Sequence, residues 1–152
     1  MLTTYRGNRD MRNTNPTYTL LGFDFGMKRI GVAIGNSLTQ TARPLTTLKA
    51  RDGIPNWDEI QDLIKNWQIK ALVVGMPYGL DNQDQEITYA ARKFKNRLKQ
   101  KFKIPTHDIE EQYTTKIARM EKKPGDDIDS MAASIILQAW LDTNIKYEHK
   151  GD

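Results

Sequence analysis

Large and small or polar positions alternate with a period of two through residues 21–26 and again through 29–35, the pattern of half-buried strands, and the first strand is expected over 19–25. Leu21, Phe23 and Phe25 fall on one side of the first stretch, and Gly22, Asp24 and Gly26 on the other. In the second, Ile30, Val32 and Ile34 are large while Gly31, Ala33 and Gly35 are small. Joined by a tight turn, the two stretches predict a hairpin. A third strand is expected over 44–49, after a loop over 36–43. The period then changes. Ile60, Leu63, Ile64 and Trp67 recur at helical spacing over about 57–68, with Asn56 as N-cap. Residues 71–74 form an unbroken apolar run, as in strands buried on both faces. Beyond a loop over 76–84, a helix is expected over about 85–103, a strand over 104–109 and a helix over about 113–121. After a loop over 122–127, a last helix over about 128–141 places Met131, Ala132, Ile135 and Trp140 on one face.

This order, three meander strands and then two strands reached through helices, predicts an α/β domain with a central mixed five-stranded sheet flanked by helices. Right-handed crossovers put the later strands on the free side of the first. The first strand, and Asp24 with it, is then central. Residues 1–18 lack any period and read as a disordered arm. The domain spans 19–142, and 143–152 is a polar tail.

The chain has 152 residues, enough for one domain with a substantial core. Its formal net charge of +4 favours a polyanionic partner without specifying one. With no cysteine, disulfides, thiolate metal sites and cysteine nucleophiles are excluded. Only His107 and His149 are available as imidazoles, so hydrolytic chemistry would fall to carboxylates. No apolar run approaches the ~20 residues needed to cross a bilayer, and no apolar stretch follows the basic N-terminus as in a secretory signal. A cytoplasmic location is expected.

Three groups of acids stand out. Asp24 lies mid-strand on a face stripped of bulk, where a phosphate or a hydrated metal ion could dock; a local hydrogen bond near the turn explains it equally well. His107-Asp108-Ile109-Glu110-Glu111 ends a strand, where open α/β sheets bind ligands, but acids there also favour the dipole of a following helix. Asp126-Asp127-Ile128-Asp129 opens the last helix. Asp126 or Asp127 would cap it, and Asp129 shares a stripe with Ala132, Ala133 and Ile136 that turns it towards the sheet. Together these are three carboxylate sources around a central strand, the oxygen chemistry that hard divalent cations take.

The helix over 85–103 has Ala91, Phe94, Leu98 and Phe102 at core spacing. Over 88–103, TYAARKFKNRLKQKFK, the charged positions are Arg92, Lys93, Lys95, Arg97, Lys99, Lys101 and Lys103, with no acid among them. Such a face is ordinarily a solvated surface, but it forgoes helix-stabilising ion pairs and suits a sugar–phosphate backbone. Lys28 and Arg29 beside the Asp24 turn, and Arg43, could add phosphate contacts.

In order, FDFGMKRIGVAIG, TARPL, VVGMPYGLDN, EEQYTTKIAR and DSMAASIILQAWL resemble the YqgF family of pre-16S rRNA nucleases, also called Holliday-junction-resolvase-like proteins. The likeness runs from about Leu20 to Leu141. It implies an RNase H-like fold and cleavage that depends on Mg²⁺ or Mn²⁺. The family's first-strand Asp falls on Asp24, the Glu of its D-E-R-L-S-T motif on Glu111, and the Asp of its last helix on Asp129. In that motif Gln112 replaces the usual Arg and Thr114 the usual Ser, and the stretch from Thr115 to Asp129 is short for the family.

The resemblance implies an endonuclease on structured pre-rRNA, possible at a ribosomal particle, with branched DNA as the alternative substrate and no membrane partner. Asp24, Glu111 and Asp129 would hold the metal, and Lys28, Arg29, Arg43, Arg92, Lys95 and Lys99 the nucleic acid. Two other readings stay open: a phosphate-binding hairpin like that of actin-like ATPases and sugar kinases, and a non-catalytic nucleic-acid- or ribosome-binding protein.

Overall fold

The computed structural model describes residues 17–77, 86–111 and 127–145. Within these, β1 (Thr19–Asp24), β2 (Arg29–Asn36), β3 (Thr41–Arg51) and β4 (Ile54–Pro55) run as an antiparallel meander. They are followed by α1 (Trp57–Asn66), β5 (Ile69–Pro77), α2 (Glu86–Phe102), β6 (Thr106–Glu111) and α3 (Ile128–Asn144). The sheet order is β4-β3-β2-β1-β5-β6, with β5 and β6 parallel to β1. β1 is thus internal, as the element order requires.

The sheet has six strands where the sequence predicts five. The extra strand, β4, arises because Asp52 and Gly53 both adopt positive φ (54° and 80°) and fold the chain back onto β3. Two residues are too few to leave a periodic signal. Gly53 is required twice over, since a Cβ there would lie 2.7 Å from the Phe25 ring. β3 is also longer than expected. Its register with β2 shifts between Val32 and Ala33, leaving Leu45 unmatched, and Pro44 sits beside this bulge, where a missing N–H is tolerated. β6 begins at Thr106, two residues later than expected. Met76 and Pro77, expected in a loop, complete β5. The helix expected over 113–121 and the rest of the loop over 78–84 lie outside the described residues.

The two faces of the sheet carry separate cores. On one, Leu21 and Phe23 of β1 and Phe25 just after it join Ile30, Val32 and Ile34 of β2 beneath α1 and α2. Phe94 of α2 is the hub, its ring 5.5 Å from Phe23, 5.3 Å from Phe25 and 5.8 Å from Trp57. Burying one such side chain contributes about 1.5–3 kcal/mol. The other face is roofed by α3, whose Ala133, Leu137, Trp140 and Leu141 pack on Leu20, Ala33, Ala71 and Val73. Tyr18, at the end of the expected arm, packs against this second core and exchanges hydrogen bonds with Ser37 (both 3.0 Å). Asn56 caps α1 through the Asp58 N–H (2.9 Å), and Asp127 caps α3.

Candidate active site

One rank of residues crosses the sheet near its carboxyl edge: Thr47, Gly31, Asp24, Gly75 and Ile109 are successive register partners on β3, β2, β1, β5 and β6. Partners in register share a face, and Ile109 packs against the core under α3. Asp24 therefore lies on the α3 side, only 3 % exposed. Glu111 follows Ile109 by two residues, so it shares that face at the end of β6, opposite Pro77. Strands are spaced ~4.8 Å apart, so the two acids stand two strands from one another. One oxygen of each, Asp24 Oδ1 and Glu111 Oε2, is buried without a hydrogen bond, although both residues make other interactions.

Asp129 arrives from above. A Cβ on Gly31 would lie 1.9 Å from the Asp129 carbonyl oxygen, so the first turn of α3 rests on the β2 backbone beside Asp24. Farther along, a Cβ on Gly22 would lie 2.7 Å from Leu137 Cβ. The small-residue face, which in the sequence could have been room for a ligand, is thus filled mainly by α3. The glycines let the helix approach, and the approach brings Asp129 to the rank that holds Asp24.

The helix end is pinned. Thr47 Oγ1 lies 2.8 Å from both Asp127 oxygens, and the Ser130 N–H donates to Asp127 Oδ1 (3.3 Å). Burial alone would raise the Asp127 carboxyl, but the hydrogen bonds from Thr47, Ser130 and the Asp129 backbone outweigh it and hold it below the usual range. Thr47 went unnoticed in the sequence, where nothing distinguishes it from any strand threonine. His107, on the same face of β6, stacks on Trp140 at 4.8 Å. Burial lowers its pKa, the Asp108 charge partly offsets that, and Lys95 adds to the lowering.

The basic residues divide. Lys28 and Arg29 lie in and beside the β1–β2 turn, next to Asp24. Arg29 Nε donates to Asp129 Oδ2 at 3.0 Å, so its guanidinium occupies the acid rather than facing solvent alone. Arg92, Lys95 and Lys99 belong to α2, on the opposite layer from Asp24, and Lys95 pairs with Asp108. Arg43 pairs with Ile34 at the far end of the hairpin, its guanidinium 5.6 Å from the centre of the Trp67 ring. Among the described residues no three acidic or histidine side chains already stand close enough to form a metal-binding group. The donor chemistry fits a hard cation, with buried carboxylate oxygens on Asp24 and Glu111, but Asp129 has to exchange Arg29 for the ion. No helix among the described residues is long and apolar enough to cross a membrane.

An internal β1, parallel β5 and β6 beside it, and a final helix crossing its glycine-rich face define an RNase H-like fold. The backbone is similar to that of Thermus thermophilus RuvC in complex with a Holliday junction substrate, with a TM-score of 0.53 at 13 % identity over 83 % of this chain and 94 % of that one. Residues 18–143 match the family model described as "RuvX: Holliday junction resolvase". A Coxiella burnetii protein named "Putative pre-16S rRNA nuclease" is 43 % identical over 134 residues, 84 % of this chain and 94 % of that protein. An Aeromonas salmonicida protein of the same name is 46 % identical over 132 residues, 82 % and 94 % of the two chains. The chain belongs to the RuvX/YqgF family and is a nuclease, a hydrolase whose substrate is nucleic acid.

Proposed function

We propose that this nuclease is a metal-dependent endonuclease that matures the 5′ end of pre-16S ribosomal RNA in the cytoplasm, acting on a ribosomal precursor particle. The observation that supports it best is the gathering of acids from two strand ends and one helix start on a single face, with Asp24 buried among them. Asp24, Glu111 and Asp129 would hold Mg²⁺ or Mn²⁺. The metal, when bound, makes water more acidic and neutralises charge that develops on the phosphate. Asp24, fixed in the central strand, keeps its carboxylate in one place with little entropy left to lose. Exposed Lys28 binds a phosphate flanking the scissile bond, and Arg29, released from Asp129, binds a second. Water attacks phosphorus in line, the 3′-oxygen leaves, and the downstream fragment keeps a 5′-phosphate. Arg92, Lys95 and Lys99 track the backbone of a substrate long enough to pass the α2 layer.

The relatives' names favour rRNA, whereas the family description favours a branched DNA substrate. One assay separates the two. Purified protein is offered a pre-16S-derived RNA and a four-way DNA junction, with Mg²⁺, Mn²⁺ or chelator, beside Asp24→Asn. Metal-dependent cleavage of the RNA that the variant loses supports the proposal. Cleavage of the junction alone, or cleavage that survives chelation, overturns it.

A further inference from the structure

At the amino end of β1, on the α1/α2 face, an open cavity of about 370 Å³ is lined by Thr19, Ile34, Asn36, Thr41, Arg43 and Trp67, among others. It lies at the opposite end of the strand from Asp24, about 17 Å along β1 at ~3.4 Å per residue, and on the other face of the sheet. The acids of the candidate site leave it unused. Three observations identify what it suits. Trp67 ends α1 with 41 % of its surface exposed, an indole placed where a core residue would be covered. The Arg43 guanidinium sits 5.6 Å from the indole centroid, making a flat cationic wall. Among the described residues no acid lines the cavity, and Lys65 and Lys70, both exposed, flank Trp67 in the chain.

An aromatic plane beside a guanidinium, over a floor of hydroxyl and amide groups, is the chemistry that takes an unpaired base and its phosphate. The volume falls within the range of small-ligand sites. We propose that this cavity is an accessory subsite for one unpaired nucleotide of the substrate, its base stacked on the Trp67–Arg43 wall and its phosphate drawn to Arg43. It rests on the reading that the protein acts on nucleic acid, and extends it. The nuclease would then engage its substrate at two places, with a single-stranded stretch of several nucleotides passing around the end of the sheet between the cavity and the acids.

The test uses full-length Asp24→Asn protein, so that binding is read without cleavage. Fluorescence anisotropy follows a 12-nucleotide single-stranded RNA and the matching duplex across a salt series. Trp67→Leu weakens single-strand binding about tenfold or more without changing the salt slope. Trp67→Phe restores most of it. Arg43→Ala lowers the salt slope by about one, and duplex binding changes little in any variant. Circular dichroism melts confirm the fold of each variant. Unchanged single-strand affinity in Trp67→Leu, or an equal loss on the duplex, overturns the subsite while leaving the proposed nuclease intact. Parent protein that binds neither RNA overturns both. If Trp67→Leu instead abolishes capture of a protein partner and leaves RNA binding untouched, the cavity is a protein-docking site and this assignment is wrong.

Discussion

The Asp129 carbonyl oxygen occupies the space a side chain on Gly31 would need, 1.9 Å from the Cβ position. The contact is between two backbones, so no rotamer change relieves it. Gly31→Ala must push the start of α3 off the sheet. Overpacking of this kind costs about 1–3 kcal/mol. The expected outcome is a lower melting temperature together with lost cleavage, because Asp129 moves with the helix. A variant with wild-type rates and melting would show that α3 can shift without consequence.

Asp24→Asn keeps size and shape but removes the charge at the centre of the rank. Altering a partner that merely orients a metal ligand costs about 10–100-fold in affinity or activity, so losing a ligand costs at least about a hundredfold. RNA binding in chelator is expected to persist. Measured turnover within a few-fold of wild type would remove Asp24 from the chemistry.

Arg29 and Asp129 form an exposed pair, with the arginine side chain 63 % accessible. Pairs of this kind contribute about 0.2–1 kcal/mol. In Arg29→Gln the acid no longer has to give up that partner before it meets a cation. Calorimetric titration with Mn²⁺ is expected to give an affinity about two- to fivefold tighter, while turnover falls because a phosphate contact is gone. Unchanged Mn²⁺ affinity would mean that Asp129 is not a ligand.

The pinning of Asp127 makes stability depend on acid. Its pKa is lowered in the folded protein, so its contribution is complete above the ordinary carboxylate pKa and is lost as pH falls through the lowered value. Asp127→Asn retains a cap but cannot titrate. Melting curves from pH 7 to pH 3 are expected to fall more gently for the variant than for wild type. Asp127→Ala loses the cap at every pH, at about 1 kcal/mol. Parallel wild-type and Asn curves would rule out the titration.

Strand alternation made the two faces of β1 and β2 readable in advance, since the side-chain period is a property of the backbone. Asn56 was readable as a cap from local sequence, and Asp127 as one of two candidates beside Asp126. What covers a face is not a local property. Gly22, Gly31 and Gly75 look alike whether a ligand or a helix lies above them, and only the packed structure places α3 there. The same holds for the bonds of Thr47 and Arg29, which join residues 80 and 100 positions apart to one helix end. Lys99 is exposed, but Lys95 is half-buried and paired with Asp108, and periodicity alone could not place that helix on the layer away from Asp24.

The helix that roofs the second core also delivers Asp129, and it comes last among the described elements. A polypeptide still threading out of the ribosome that makes it has β1 and Asp24 early but neither the roof nor the third acid. Under the proposed function the set of acids is complete only when the fold is, so a half-made copy carries Asp24 without Asp129 seated beside it.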